Sequence, residues 1–261
     1  MDSTVSTIKS NENDVEIKFS NGETKKYDYI VGCDGVHSNI RNSIFHKSDF
    51  EHYREWRTWY FWADKKFTPR HTITTYTDPQ RLVSIFDEGD KSLCTLFAPV
   101  SHKNWDEEET RIERLNKTFG NFTSVFPEIL NGINATDIVP TDLTIIKLKK
   151  WHEGRVVLLG DAAHAMEPYA ALGASMAMED AYVLSGELLK IKNGLAYEQA
   201  FNDYEKKRRL RVKDAKKTNW YLELLIAKKS RTINTAVKFA CKVIPMQLLT
   251  KNLRKILKKD I

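Results

Sequence analysis

Arg155-Val156-Val157-Leu158-Leu159-Gly160-Asp161-Ala162-Ala163-His164, continued by Ala165-Met166-Glu167-Pro168-Tyr169-Ala170-Ala171-Leu172-Gly173-Ala174, is the stretch from which the rest of the chain can be read. Val156 to Leu159 is a fully apolar run of the length expected of a central parallel strand. Gly160 lets the backbone come close to a ligand, and Asp161 stands where the strand ends, placed to accept hydrogen bonds from sugar-like hydroxyls. Pro168 stiffens the loop and Gly173 frees the first turn of a following helix, in which Ala177, Ala181, Leu184 and Leu188 recur at helical spacing. The N–H groups and positive dipole end of that helix suit an electron-rich group.

A second stretch has the same logic. Tyr29-Ile30-Val31 is a short apolar strand that ends in Gly32-Cys33-Asp34-Gly35, with a helix start at Ser38 and Arg41 just inside it. Backbone N–H groups and one carboxylate then lie at the strand's carboxyl edge, where α/β sheets bind ligands, although such a turn also reads as no more than a turn. Upstream, Val15, Ile17 and Phe19 alternate with polar residues, Asn21-Gly22 is a tight-turn signal, and Thr24 to Tyr27 returns as the partner of a β-hairpin. Between the two stretches, Trp56 to Trp62, His71 to Tyr76, Leu82 to Phe86 and Leu93 to Phe97 predict an antiparallel sheet. Residues 106–119 predict a charged helix and Thr141 to Leu148 another strand. From Tyr197 onward the pattern is mostly helical, with Pro245 as the clear interruption.

The two stretches resemble the DG and GD flavin motifs of the class A flavoprotein monooxygenases, the aromatic-ring hydroxylase type, over most of residues 10–205. The resemblance implies an α/β (mixed α+β) fold: an FAD-binding three-layer domain from residues 1–45 and 150–205, an inserted antiparallel substrate-binding sheet at 46–149, and a basic helical region at 206–261. It implies that Asp161, beside Gly160, binds the ribityl hydroxyls, that Gly173 and Ala174 offer N–H groups to the isoalloxazine, and that Pro168 sits near the reacting face. Asp34 and Gly35 would contact the cofactor, with Arg41 bracing that loop and assisting nicotinamide-nucleotide binding. Tyr60, Trp62 and Tyr76 are candidates to line an apolar substrate pocket near the flavin; core aromatics are the competing reading. The implied chemistry is reduction of FAD by NADH or NADPH, capture of O₂, and transfer of one oxygen atom to a small organic substrate, with no protein nucleophile and no metal. Ala171-Leu172-Gly173 replaces the family's usual Gly-Gln-Gly, and His164 reads as a hydrogen-bonded structural histidine.

Composition narrows the alternatives. The chain has 261 residues, 41% of them hydrophobic, enough for a sizeable core. Cys33, Cys94 and Cys241 are too few and too dispersed for a disulfide framework or a CxxC metal site and read as small buried hydrophobes. The first thirty residues hold no signal-peptide core, so a cytoplasmic protein is expected. Residues 206–261 carry 18 Lys and Arg against three acids, out of 41 and 35 in the whole chain. That predicts a solvated amphipathic helical tail with weak membrane-surface attraction at most, and no nucleic-acid partner. None of the 11 glycines is separated from another by a single residue, so the Gly-x-Gly of a pyrophosphate-binding βαβ unit does not occur. The expectation is an incomplete FAD domain whose first βαβ comes from elsewhere, a separate chain included. A flavin dehydrogenase or reductase, or a non-catalytic fragment of a split flavoprotein, remain the alternatives.

Overall fold

Val15 and Ile17 are buried while Lys18 faces water, the alternation required of a strand with one covered face. In the computed structural model, which describes residues 3–45, 50–78, 80–100, 106–123 and 125–226 together with 235 and 239, this strand is the middle of a meander. The elements run β1 Val5–Ser10, β2 Val15–Phe19, β3 Thr24–Tyr27, β4 Ile30–Gly32, α1 Asn39–Ile44, β5 Glu51–Ala63, β6 Ile73–Thr77, β7 Leu82–Glu88 and β8 Lys91–Pro99. They continue with α2 Glu108–Phe119, α3 Phe126–Leu130, β9 Val139–Ile146, β10 His152–Glu153, β11 Val156–Leu158, α4 Asp161–His164, α5 Gly173–Lys192 and α6 Tyr197–Ile226. Contacts divide the chain into two units, one built on Met1–His52 and Thr144–Trp220, the other on Tyr53–Leu143.

The first unit has three layers. β11 pairs in parallel with β4, Val156 opposite Ile30 and Leu158 opposite Gly32, and β10 pairs antiparallel on the far side of β11. Val156 and Ile30 pack against Val15 and Ile17 of the meander, whereas Val157 and Leu158 pack against Met176, Leu184, Phe201 and Tyr204 of α5 and α6. Burial on both faces is why these strands are continuously apolar. Gly32 keeps this packing distance, since a Cβ there would stand 2.6 Å from a Leu158 methyl and 2.9 Å from Ile40 Cγ2 and those side chains would have to shift. The second edge of β4 pairs with no strand among the described residues.

In the second unit five strands follow the order β6-β7-β8-β5-β9. Trp59, Phe61, Val83, Ile85 and Leu96 on one face pack with Phe119 and Phe126 of α2 and α3. β1 was not foreseen, because Val5 and Ile8 are its only apolar residues and both are only partly covered.

Two expectations are corrected. Cys94 is buried as expected, but Cys33 is exposed, because it follows the last residue of β4 at the strand's open end. The basic segment starting at 206 is not simply a solvated tail: up to Trp220 it belongs to the first unit, and Arg208 and Arg211 are buried in ion pairs with α5. After Ile226 only residues 235 and 239 are described, so Pro245 lies outside the described residues. Among the described residues no helix is long and apolar enough to cross a membrane.

Candidate functional site

Because β4 and β11 run parallel with Gly32 opposite Leu158, the loops after them emerge at the same sheet edge. At the end of β11 the chain turns through Gly160 at φ +59°, where an L side chain is strained and a Cβ would also come within 3.0 Å of Ala177. Asp161 then opens α4 with its carboxylate exposed and, among the described residues, without a hydrogen-bond partner. The 20-residue α5 begins at Gly173, and the residue before it, Leu172, has no side-chain acceptor to cap its first-turn N–H groups. A Cβ placed on Gly173 would meet only Asp161 Oδ1, at 4.0 Å. A free carboxylate and an uncapped helix N-terminus therefore share one open space. Pro168 begins a 3-10 turn, Pro168–Ala170, held by a 2.7 Å bond from the Ala170 N–H to Asn219 Oδ1. Ala171 follows in the left-handed region at φ 52°, ψ 32°.

The Asp34 loop is organised differently. Its carboxylate accepts from Ser38 Oγ and, at 3.1 Å, from the Ile40 N–H, so Asp34 folds its own loop onto the start of α1. Gly35 stands at φ +81° with open space around it. Arg41 is fully buried: Nη2 donates to Val36 O at 2.8 Å and to Glu51, Nη1 donates to Ala162 O at 3.1 Å, and the guanidinium lies over Phe50. Arg41 thus ties the Asp34 loop to α4. A guanidinium with no exposed surface cannot reach a nicotinamide nucleotide, and that part of the expectation is corrected.

Sequence reading missed the support behind Gly160. The Gly160 N–H and His164 Nε2 both bond Asp180 Oδ2, at 2.8 and 2.6 Å, and Arg208 Nε donates to Asp180 Oδ1 at 2.6 Å. Arg208 and Arg211 also hold Glu179, at 2.6 and 2.8 Å. Burial pushes the Asp180 carboxyl up, but the bonds from His164, Arg208 and Gly160 outweigh it and hold it below the ordinary carboxylate value; Glu179 is likewise lowered, against burial, by its two arginines. The signal was present in Glu179-Asp180 on the covered side of an otherwise apolar helix, with an arginine run about one helix later.

The three aromatic candidates do not share a face. Tyr76 pairs with Val83, Val83 with Leu96, and Leu96 with Trp59, a row on the core face, where Tyr76 packs. Tyr60 lies on the opposite face in a row with Thr95, Ser84 and Thr75, and Trp62, 51% exposed, stands in the next row with Leu93, Phe86 and Ile73. Tyr76 is a core aromatic; on the opposite face Tyr60 is partly covered, in a row whose Ser84 and Thr95 are buried, and Trp62 is exposed.

Strand-end loops carrying Asp34 and Asp161 emerge at one sheet edge with an uncapped helix N-terminus beside Asp161, the kind of place at which α/β proteins bind nucleotides. The chain belongs to the FAD binding domain family, which matches residues 2–218. A flavin-dependent monooxygenase of Legionella longbeachae is 30% identical over 212 residues, which is 76% of this chain and 52% of that one. The 6-hydroxynicotinate 3-monooxygenase of Pseudomonas fluorescens is 28% identical over 210 residues, 77% of this chain and 54% of that one. Klebsiella pneumoniae HpxO, crystallised with FAD and uric acid, superposes with a TM-score of 0.85 at 20% identity, covering 98% of this chain and 66% of that one, a likeness of fold. The chain spans about half the length of the curated relatives it matches.

Proposed function

We propose that this chain is the flavin- and substrate-binding part of a flavin-dependent monooxygenase that uses NADH or NADPH and O₂ to hydroxylate an organic, aromatic or polycyclic, substrate. The observation that carries the reading is the free Asp161 carboxylate beside the uncapped N-terminus of α5. A carboxylate without a protein partner fits the ribityl hydroxyls, which donate, and first-turn N–H groups fit the electron-rich pyrimidine edge of the ring. Bound FAD supplies the redox and oxygen-transfer chemistry. The protein's part is to bind and orient: Asp161 fixes the ribityl chain, Gly173 and Ala174 donate to the ring edge, and Gly35 lets the Asp34 loop approach the cofactor without a side chain in the way. The Pro168 turn, fastened through Asn219, walls the ring from water. Tyr60 and Trp62 offer the flat apolar surface an aromatic substrate needs, with Thr75 the exposed hydroxyl residue in the row of Tyr60.

The pyrophosphate of FAD needs donors that this sequence does not contain in Gly-x-Gly form. A βαβ unit, supplied in cis or by a separate chain, would add its strand to the unpaired edge of β4. Its helix would cover the apolar stripe of α5 formed by Met178, Tyr182 and Leu189, which are 68%, 69% and 63% exposed.

The test is turnover of aromatic candidates with NADPH or NADH under ¹⁸O₂ by the protein completed with such a unit. Labelled oxygen in the product is expected. Reductant oxidation coupled to conversion of the substrate with no label incorporated makes the protein a flavin reductase instead, and substrate oxidation without label or reductant consumption a flavin dehydrogenase.

A further inference from the structure

Beneath α4 the first unit holds a second cleft, of about 380 Å³, between the chain following β9 and one face of α6. Its walls are mostly apolar, with Leu148, Trp151 and Val212 among them, yet four cations line it: Lys147, Arg209, Lys213 and Lys216. Three of these stand at i, i+4 and i+7 on α6, the spacing at which like charges face one another and weaken a helix. Arg209 is fixed, bonded to Glu205 at 2.6 Å and to the carbonyl of Leu148 at 3.3 Å, and stacked on Trp151. The lysines are not. Among the described residues Lys147 and Lys213 form no ion pair, and the Lys216 ammonium is bonded only to the Ile146 carbonyl, at 2.9 Å. Burial, with Lys147 and Arg209 adding to it and Glu167 opposing, pushes the Lys216 amine down to about 8. His164 also lines the cleft; its Nε2 is committed to Asp180, and its Nδ1 is buried without a partner.

We propose that this cleft binds an organic anion, a phosphate monoester or carboxylate on an apolar body, with the anionic head among Lys147, Lys213 and Lys216 and the body against Trp151. The cations repel one another across the cleft, and an anion removes that cost; against the apolar wall a bare inorganic ion satisfies only half of the site. A cation with an apolar body is excluded by the same charges. The site is separate from the flavin site, because its cations come from α6 and Lys147, and of α4 it touches Ala163 and His164 but not Asp161. Through His164 and Asp180 it nevertheless touches the hydrogen bond that holds the Gly160 N–H.

Calorimetric titration of the full chain with phenyl phosphate, inorganic phosphate and benzyl alcohol tests the proposal. Phenyl phosphate is expected to bind saturably, about tenfold or more tighter than either of the others, since it alone offers both charge and apolar area. The double substitution Lys147→Glu with Lys213→Glu, at two exposed positions outside the core, should weaken it by at least about tenfold at unchanged circular dichroism. Excess FAD should not displace it. Equal binding of benzyl alcohol, unchanged affinity in the double variant, or displacement by FAD would each overturn the assignment.

Discussion

Asp161 is the residue on which the flavin assignment turns, since its carboxylate is exposed and makes no protein hydrogen bond among the described residues. A charged hydrogen bond contributes about 1.5–3 kcal/mol, so Asp161→Ala should weaken FAD by at least about tenfold in a flavin-fluorescence titration of the completed protein. Unchanged affinity would remove Asp161 from the site. Ala171 makes a different point. It occupies the left-handed conformation that the family's glycine at this position accommodates, at a cost of about 1–2 kcal/mol for an L residue. Ala171→Gly should therefore stabilise the fold by about 0.5–1 kcal/mol after the extra unfolded-state entropy of glycine is subtracted, seen as a higher urea midpoint; a lower midpoint refutes the strain. Gly160, Asp161 and Gly173 were legible in the sequence because a strand end, a backbone approach and a helix start are local features. The burial of Arg41 was not, because its partners Ala162 and Glu51 are brought to it by the fold.

At the scale of elements, α5 and α6 are joined by buried charge. Asp180 receives bonds from Gly160, His164 and Arg208, and its carboxyl titrates below its ordinary range. A depressed carboxyl contributes stability above the unfolded value of about 4, and that contribution is lost as pH falls through the lowered folded value. Asp180→Asn, which leaves Arg208 paired with Glu179 but removes the charge that Arg208, His164 and the Gly160 N–H share, should cost about 1.5–3 kcal/mol near neutrality, and the gap to the parent in urea midpoint should close as pH is lowered below about 4. A gap independent of pH would show that the charge is not what holds the helices. The Asp180–Arg208 pairing spans 28 residues and no local pattern announces it. The substrate sheet shows the same limit: alternation alone puts Tyr60 and Trp62 opposite Trp59 and Phe61, but the face of Tyr76 depends on cross-strand register. Tyr60→Ala is accordingly expected to raise KM for the organic substrate with flavin content intact, whereas Tyr76→Ala should lower stability by about 2 kcal/mol. The opposite pattern in turnover assays and melts would reverse the two faces.

For the whole molecule, the three-layer architecture was readable because its strands are apolar on both faces, yet the same property shows what the first unit needs. β4 carries Ile30 and Val31 and has an unpaired edge among the described residues, while α5 turns Met178, Tyr182 and Leu189 to water. An open strand edge is a template for pairing with other chains, and an exposed apolar stripe adds a driving force for it. The cofactor side gives the same answer, since the chain offers Asp161 and the α5 N-terminus for the flavin end but no Gly-x-Gly turn for the pyrophosphate. The 261-residue chain on its own is therefore expected to purify with much less than stoichiometric flavin and to associate in a concentration-dependent way. Co-expression with a βαβ segment from a related flavoprotein should restore yellow colour, a monodisperse peak on size-exclusion chromatography and NAD(P)H oxidation. The two halves of the expectation separate cleanly: Leu189→Glu with Tyr182→Lys in the isolated chain should reduce association without restoring flavin, because they blunt the stripe and leave the phosphates without donors. One-to-one FAD binding and reductant oxidation by the unsupplemented chain would show that the pyrophosphate is held by residues other than a glycine-rich turn.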